Sequence, residues 1–335
     1  MNPITILFVH ASAEWATKDV GEGYARALKR MGHNVVDYRT PNRLKYHALA
    51  LSNSPDPNRA FDAPLVSRLA SEGIVVEALR EKADLVIVTA GGGIHPDGLE
   101  LCARAGFPVA VIFTESPYED EAQCVYARHA GYHFTNDRLS ADRYGWTFTP
   151  CSYDPEVHHP YDFDLAEECD VLVSGSGWPE RQKLLESVDW TGIRFRLIGQ
   201  WPGVTEESPL WPHYEAGSID NDEQSRLYSS ARIVVNAHRY SPDALSLNPR
   251  AYEAAACGVF QVSDYRADLD WVFGKTVPVY RGGAELGEVL RWHLALSDDR
   301  LRSLAHRQRE RVLAGGHTFD DRAAVLISTV AGVRP

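Results

Sequence analysis

The first nine residues set a pattern that recurs along the chain. Ile4 to Val9 is an unbroken apolar run, as a strand covered on both faces requires. A helix is predicted over about Val20 to Met31, where Tyr24, Ala25, Leu28 and Met31 fall at helical spacing and Gly32 follows as a cap. Asn34 to Tyr38 reads as the next strand. Residues 41–62, with Pro41, Pro55, Pro57 and several Asn and Ser, read as a long surface loop. The alternation continues with a helix over 64–82, a strand at 85–88 broken by Gly91, Gly92 and Gly93, and a helix near 97–105. Strand Val109 to Phe113, a helix near 120–130 and a short strand at 132–135 complete the run. Repeated strand–helix units predict a parallel sheet with helices on both faces.

The stretch 149–168 breaks the rhythm. Pro150, Pro155 and Pro160 interrupt it and no helical period appears, so an interdomain linker is expected, with His158 and His159 exposed in it. The alternation then restarts. Strands are predicted at Val171 to Ser174, Phe195 to Gly199, Ile233 to Asn236, Val259 to Ser263 and Val277 to Tyr280. Helices are predicted near 180–188, 222–231, 249–257 and 283–296, and two more, 298–313 and 319–331, close the chain. The expected organisation is an N-terminal α/β domain over 1–150, a linker over 151–168, a second α/β domain over 169–317 and a segment 318–335. A length of 335 residues suits two domains.

Composition removes several function classes. Lys+Arg 34 against Asp+Glu 46 leaves a net charge of −12, against a protein whose main task is to grip a phosphate polymer. No apolar run approaches the ~18 residues a membrane helix needs. The start Met1-Asn2-Pro3 has no basic region or cleavage site of a signal peptide. Five cysteines, an odd number without CxxC spacing, read as thiols in a reducing compartment, so a cytoplasmic location is expected.

The chemistry concentrates in Ser246-Leu247-Asn248-Pro249-Arg250-Ala251-Tyr252-Glu253-Ala254-Ala255-Ala256-Cys257-Gly258. Asn248 can cap a helix and Pro249 fits its first position. The free N–H groups of that turn attract an anion, Arg250 adds positive charge, and Glu253 lies one turn further on, within reach of a neighbouring hydroxyl. A diphosphate with its ribose would satisfy these parts. On spacing alone, a capped helix with a surface salt bridge accounts for the segment as well.

This segment, followed by Ser263-Asp264-Tyr265-Arg266 and Asp268-Leu269, resembles the donor site of the CgeB-type glycosyltransferases, which lie near the retaining family-4 enzymes. The resemblance extends to Leu227-Tyr228, His238-Arg239, Val173-Ser174-Gly175-Ser176 with Arg181, and Pro150 with Asp154-Pro155. It covers most of 130–320; over 1–130 it rests on the alternation of elements. It implies a GT-B fold, two Rossmann-like doubly wound parallel-sheet domains facing a cleft, with segment 318–335 crossing back to the first. It also implies transfer of a sugar from a nucleoside diphosphate, with UDP the expected nucleotide, to a hydroxyl acceptor, with retention and without a metal. Arg181, Ser246, Asn248, Arg250 and Glu253 are then the donor-binding candidates, and Arg181 also serves the leaving diphosphate. One departure stands out: family-4 enzymes usually carry a second Glu eight residues before the ribose-binding one, and here that position is Leu245.

Acceptor-side candidates come from strand ends of the first domain, where open α/β sheets bind ligands. Glu115 is the leading carboxylate and His10 a second catalytic candidate; Glu14 and His95 share that edge. The triple glycine lacks both the P-loop Lys and the GxGxxG spacing, so it reads as a tight turn. His129 and His133, four apart, suggest a helix face that could take a metal, but no third ligand is evident. Trp178, Trp201 and Trp211 are candidates to stack on a base or to pack loops. Two other readings remain open: a non-catalytic nucleotide-binding or sensor protein, and a nucleotide-sugar epimerase. The acceptor class is open among a small molecule, a polysaccharide, a protein and a modified DNA base, the last disfavoured by charge.

Overall fold

A computed structural model describes residues 2–10, 16–53, 62–89, 93–162, 167–217, 219–241 and 243–332. Glu14 and most of the triple glycine lie outside them. The chain divides into two compact units, Met1–Pro150 with Phe319–Pro335, and Cys151–Thr318.

The first unit contains β1 (Thr5–His10), α1 (Ala16–Arg30), β2 (Asn34–Arg39), α2 (Thr40–Ser52), α3 (Ala63–Arg80), β3 (Leu85–Thr89), α4 (Pro96–Arg104), β4 (Val109–Phe113), α5 (Asp120–Ala127), β5 (Tyr132–Thr135), α6 (Arg138–Tyr144) and β6 (Thr147–Phe148). Its six strands are parallel in the order β2-β1-β3-β4-β5-β6. The order reverses between β1 and β3, so a doubly wound switch point lies at their carboxyl ends. Alternate residues of β1 serve opposite faces: Ile6 and Phe8 join one core and Leu7 and Val9 the other. The first of these cores is completed by the last helix of the chain, α13 (Phe319–Val330), through Phe319, Ala323, Leu326 and Ile327. Arg30 clamps Asp320 with two hydrogen bonds, of 2.9 and 2.6 Å, and Arg322 Nε donates to the Pro150 carbonyl at 3.0 Å. Burying Phe319, Leu326 and Ile327 contributes about 1.5–3 kcal/mol each.

The second unit contains β7 (Cys169–Ser174), α7 (Pro179–Glu186), β8 (Phe195–Gly199), β9 (Tyr214–Ala216), α8 (Asn221–Ser230), β10 (Ala231–Asn236), α9 (Pro249–Ala256), β11 (Phe260–Asp264), α10 (Ala267–Phe273), β12 (Val279–Tyr280), α11 (Gly283–Leu294) and α12 (Asp298–Ala314). Its six parallel strands run β12-β11-β10-β7-β8-β9, with the switch point between β7 and β10. Val171, Val173, Ile233 and Val235 pack one face, and Leu172 and Val234 pack the other beneath Leu227, Tyr228 and Ala254. Ala254, Ala255 and Ala256 are fully buried, so α9 lies close against the sheet.

Three local readings are corrected. Part of the loop expected over 41–62 is helix α2, because Pro41 stands in its first turn, where a missing N–H costs nothing. His129 and His133 do not share a helix face: α5 ends at Ala127, and His133 is on β5 with Nε2 2.8 Å from the Ala127 carbonyl. His158 is buried rather than exposed, inside the second unit.

Candidate functional site

The sequence-predicted donor residues meet at the carboxyl edge of the second sheet, around its switch point. β7 ends at Ser174, and Gly175 follows with φ +119°, a conformation that L side chains rarely adopt. A Cβ on Gly175 would stand 2.2 Å from Arg250 Nη2, so the bare backbone makes room for that guanidinium, and the Arg181 Nη1 lies at ordinary contact distance, 3.9 Å, from the same point. Arg181, in the first turn of α7, is buried, and its Nη1 donates to the Ser176 carbonyl at 2.6 Å. Lys183, on the same helix, is exposed.

Across the switch point, Asn236 closes β10. Its Oδ1 accepts from Asn248 Nδ2 at 2.8 Å and from Arg250 Nη1 at 3.2 Å, and its own carbonyl accepts from the Tyr280 hydroxyl at 2.8 Å. The other end of the Asn248 amide caps α9, accepting from Ala251 N at 3.2 Å. One asparagine therefore ties the helix start to the strand end while Pro249 occupies the first turn. Ser246 is buried two residues earlier. The result is a helix N-terminus flanked by two arginines, an arrangement suited to a diphosphate.

Glu253 is buried one turn into α9. Gln224 Nε2 donates to its Oε2 at 3.2 Å and to the Tyr228 hydroxyl at 2.7 Å. Burial pushes the Tyr228 phenol well above its ordinary range, so it stays a neutral hydroxyl. His158 Nε2 stands 3.9 Å from Glu253 Oε1. Its Nδ1 accepts from Asp154 N at 3.0 Å, so a neutral ring carries its proton on Nε2, facing the carboxylate. His158 is buried, not exposed in a linker, because Asp154 to His158 fold back onto α9.

A second pairing joins β10 to β11. His238, two residues past β10, presents Nδ1 to Asp264 Oδ1 at 2.6 Å, and the same oxygen accepts the His238 backbone N–H at 3.0 Å. Burial, with Arg266 and Arg181 nearby, holds the His238 ring below its ordinary pKa despite the Asp264 carboxylate. Burial raises Asp264, yet His238 and Arg266 outweigh it and keep its carboxyl below the usual range. Arg266 donates to the carbonyls of Arg239, Ser241 and Ala244 at 2.7–3.1 Å, fixing the loop between β10 and α9. Arg239 lies over the Trp178 ring, 4.4 Å from its centroid; Trp201 is buried core and Trp211 is exposed.

The remaining candidates belong to the first unit. His10 ends β1 at that sheet's switch point, buried, with Nε2 2.7 Å from Asp37 Oδ1; Lys29 holds the other Asp37 oxygen at 2.8 Å. Glu115 follows β4 on the same edge, half-buried, its backbone N–H donating to Gln123 Oε1 at 3.3 Å. His95 caps α4, accepting from Asp97 N at 3.3 Å. Among the described residues no group of three His, Cys, Asp or Glu side chains could hold a metal, and no helix is long and apolar enough to cross a membrane.

Against known structures, the chain is similar over 99% of its length to sucrose-phosphate synthase from Thermosynechococcus elongatus, with 99% of that chain covered, a TM-score of 0.65 and 16% identity. Anabaena HepE, solved with UDP-glucose, matches 98% of this chain over 100% of its own, with a TM-score of 0.64 and 11% identity. A glycosyltransferase from Rickettsia africae matches 99% of both chains, with a TM-score of 0.62 and 10% identity. The fold is GT-B. Residues 180–328 match a family described as glycosyl transferase-like. That segment holds Arg181 and the whole of α9, so the match falls on the GT-B unit that carries the candidate donor site. Fold and family match together support a glycosyltransferase. No curated protein sequence matches the chain.

Proposed function

We propose that this protein transfers a glycosyl group from a nucleoside diphosphate sugar to a hydroxyl acceptor, with the donor held at the switch point of the second unit. The convergence of Arg181, Arg250 and the Asn248-capped start of α9 around Gly175 carries this reading. As the glycosidic bond breaks, negative charge gathers on the leaving diphosphate. Two fixed guanidinium groups and a helix N-terminus stabilise that charge without reorganising, and more strongly in the transition state than in the bound donor. The arginines supply the positive charge that a divalent cation supplies in other transferases, so a metal-independent reaction is part of the proposal. Glu253, buried and facing two polar partners, is placed to accept ribose hydroxyls.

UDP is the proposed nucleotide; HepE, of the same fold, is solved with UDP-glucose. Retention of configuration and CgeB-type kinship rest on the resemblance of the 246–269 segment. Glu115 and His10 are the proposed acceptor-side groups, and five unpaired cysteines fit a cytoplasmic setting. The net charge of −12 favours a small molecule, polysaccharide or protein acceptor over a modified base in DNA.

A thermal-shift panel of nucleoside diphosphates and their sugars tests the donor site. A diphosphate at a hundredfold excess over its dissociation constant adds about 2.7 kcal/mol of stability, and free monosaccharides add none. If no nucleotide raises the melting temperature, the assignment fails. Product analysis with donor alone separates transfer from isomerisation: slow hydrolysis supports a transferase, whereas an epimerised sugar nucleotide makes the protein an isomerase.

A further inference from the structure

The donor site as built is rich in hydrogen-bond donors. Arg181, Arg250, the Asn236 amide nitrogen and the N–H groups at the start of α9 all present hydrogens, which suits phosphate oxygens. A sugar hydroxyl must also give its own hydrogen to something. At the position where the resemblance expects an acidic side chain this chain has Leu245, which cannot accept.

His238 can. Its side chain is 3% exposed and its Nε2 has no hydrogen-bond partner among the described residues. Asp264 Oδ1 accepts a hydrogen bond from Nδ1–H, so in the neutral ring Nε2 is a bare lone pair, an acceptor. Asp264 ends β11, which flanks β10 on the side away from β7. Nε2 diverges from Nδ1 across the ring, so it is not directed at Asp264. Arg181 is among the charges that bear on the ring. Asn236 Nδ2, two residues earlier and fully buried, also lacks a partner. Leaving such groups unsatisfied is unfavourable, and a bound ligand can remove that cost.

We propose that His238 holds a hydroxyl of the transferred sugar, its Nε2 accepting the hydroxyl hydrogen while Asp264 fixes the tautomer. This rests on the donor reading above and specifies it: His238 distinguishes a sugar nucleotide from a bare nucleotide. The lone pair is closed to solvent, and Arg250 is drawn toward Asn236. The diphosphate anchors the conjugate at the start of α9, so the sugar is brought to the ring by the nucleotide and a free monosaccharide lacks that anchor.

Calorimetric titration of UDP, GDP and ADP, and of their glucose, galactose, mannose and N-acetylglucosamine conjugates, tests this on the wild type, His238→Ala and His238→Gln. In the wild type one conjugate binds more tightly than its own diphosphate. His238→Ala keeps the diphosphate affinity and weakens the conjugate roughly tenfold, as the loss of one buried hydrogen bond implies. His238→Gln, whose amide oxygen reaches a similar point, restores part of the difference. It also carries the comparison if melting curves show that the alanine variant is unfolded. Equal losses for diphosphate and conjugate, or none, overturn the proposal, as does a wild type that gains nothing from any sugar. A wild type that binds no diphosphate at all is a different failure, that of the donor site itself.

Discussion

The Arg250 guanidinium occupies the space that a side chain on Gly175 would need. A Cβ there would lie 2.2 Å from Arg250 Nη2, and the backbone at Gly175 has φ +119°. The glycine that follows β7 and the arginine in the first turn of α9 are therefore one device, built from opposite sides of the switch point.

Gly175→Ala disturbs both parts. The backbone conformation costs an L residue on the order of 1–3 kcal/mol. The new methyl also pushes Arg250 from Asn236, so diphosphate affinity falls together with the melting temperature. Calorimetry and a denaturant midpoint measure the two. A variant that binds UDP as the wild type does would separate Arg250 from the phosphate site.

Glu253→Gln keeps the side-chain shape and removes the charge. Charge-assisted hydrogen bonds are about twice as strong as neutral ones, so affinity for the nucleoside diphosphate falls while the unliganded protein melts nearly where it did. The converse, a large loss of stability at unaltered affinity, would show that Glu253 serves the packing of α8, α9 and His158.

Arg181→Ala lowers kcat by about a hundredfold to a thousandfold, with a smaller rise in donor KM, because the diphosphate charge is largest in the transition state. Arg181→Lys recovers only part, since an ammonium lacks the planar fork. Chelation with EDTA leaves the wild-type rate intact. Near-normal turnover in the alanine variant, or abolition of the rate by EDTA, removes Arg181 from the leaving group.

Acid weakens the protein in two stages. His238, His33 and His293 are all held below the ordinary 6.5, chiefly by burial. Between 6.5 and their folded values the unfolded chain binds protons that the folded chain refuses, so stability falls as pH drops through 6.5. Asp264 and Asp37 lie below the ordinary 3.8. Asp264 is held there against burial by His238 and Arg266, and Asp37 chiefly by the His10 hydrogen bond, helped by Lys29. Their contribution is present above 3.8 and is lost as pH falls further. Urea midpoints between pH 7.5 and 5 report the first stage, and His238→Gln flattens it. Parallel curves for wild type and variant would assign the slope to the other two histidines.

Much of the architecture could be read directly because buried parallel strands are uninterrupted apolar runs, as in β1, β3 and β4. The α9 segment was equally legible, since its cap, proline and small residues are contiguous. Helix α2 is not legible in the same way, because the prolines and polar residues of 41–62 have a loop's composition although Pro41 stands at a first turn, where it breaks nothing. The two-stranded register of β10 and β11 was what hid the His238–Asp264 pair: the residues are 26 apart, and neither gives a local signal. His158 escaped for the same reason, since its burial depends on where residues 154–158 fold and not on their own composition. In the first unit, the sequence placed His10 at a strand end but could not supply Asp37, which comes from the neighbouring strand.

Helix α13 completes a core whose other parts lie before residue 150, with the whole second unit in between. On the ribosome this fixes an order of events. The second unit has all of its residues in hand first, while the first unit, although begun earlier, still lacks Phe319, Ala323, Leu326 and Ile327. Until they emerge, the core that Ile6, Phe8, Tyr24 and Leu28 share lacks the part that α13 supplies. The domain that starts first is thus the last to finish, and its nascent form is the one that most needs protection from aggregation.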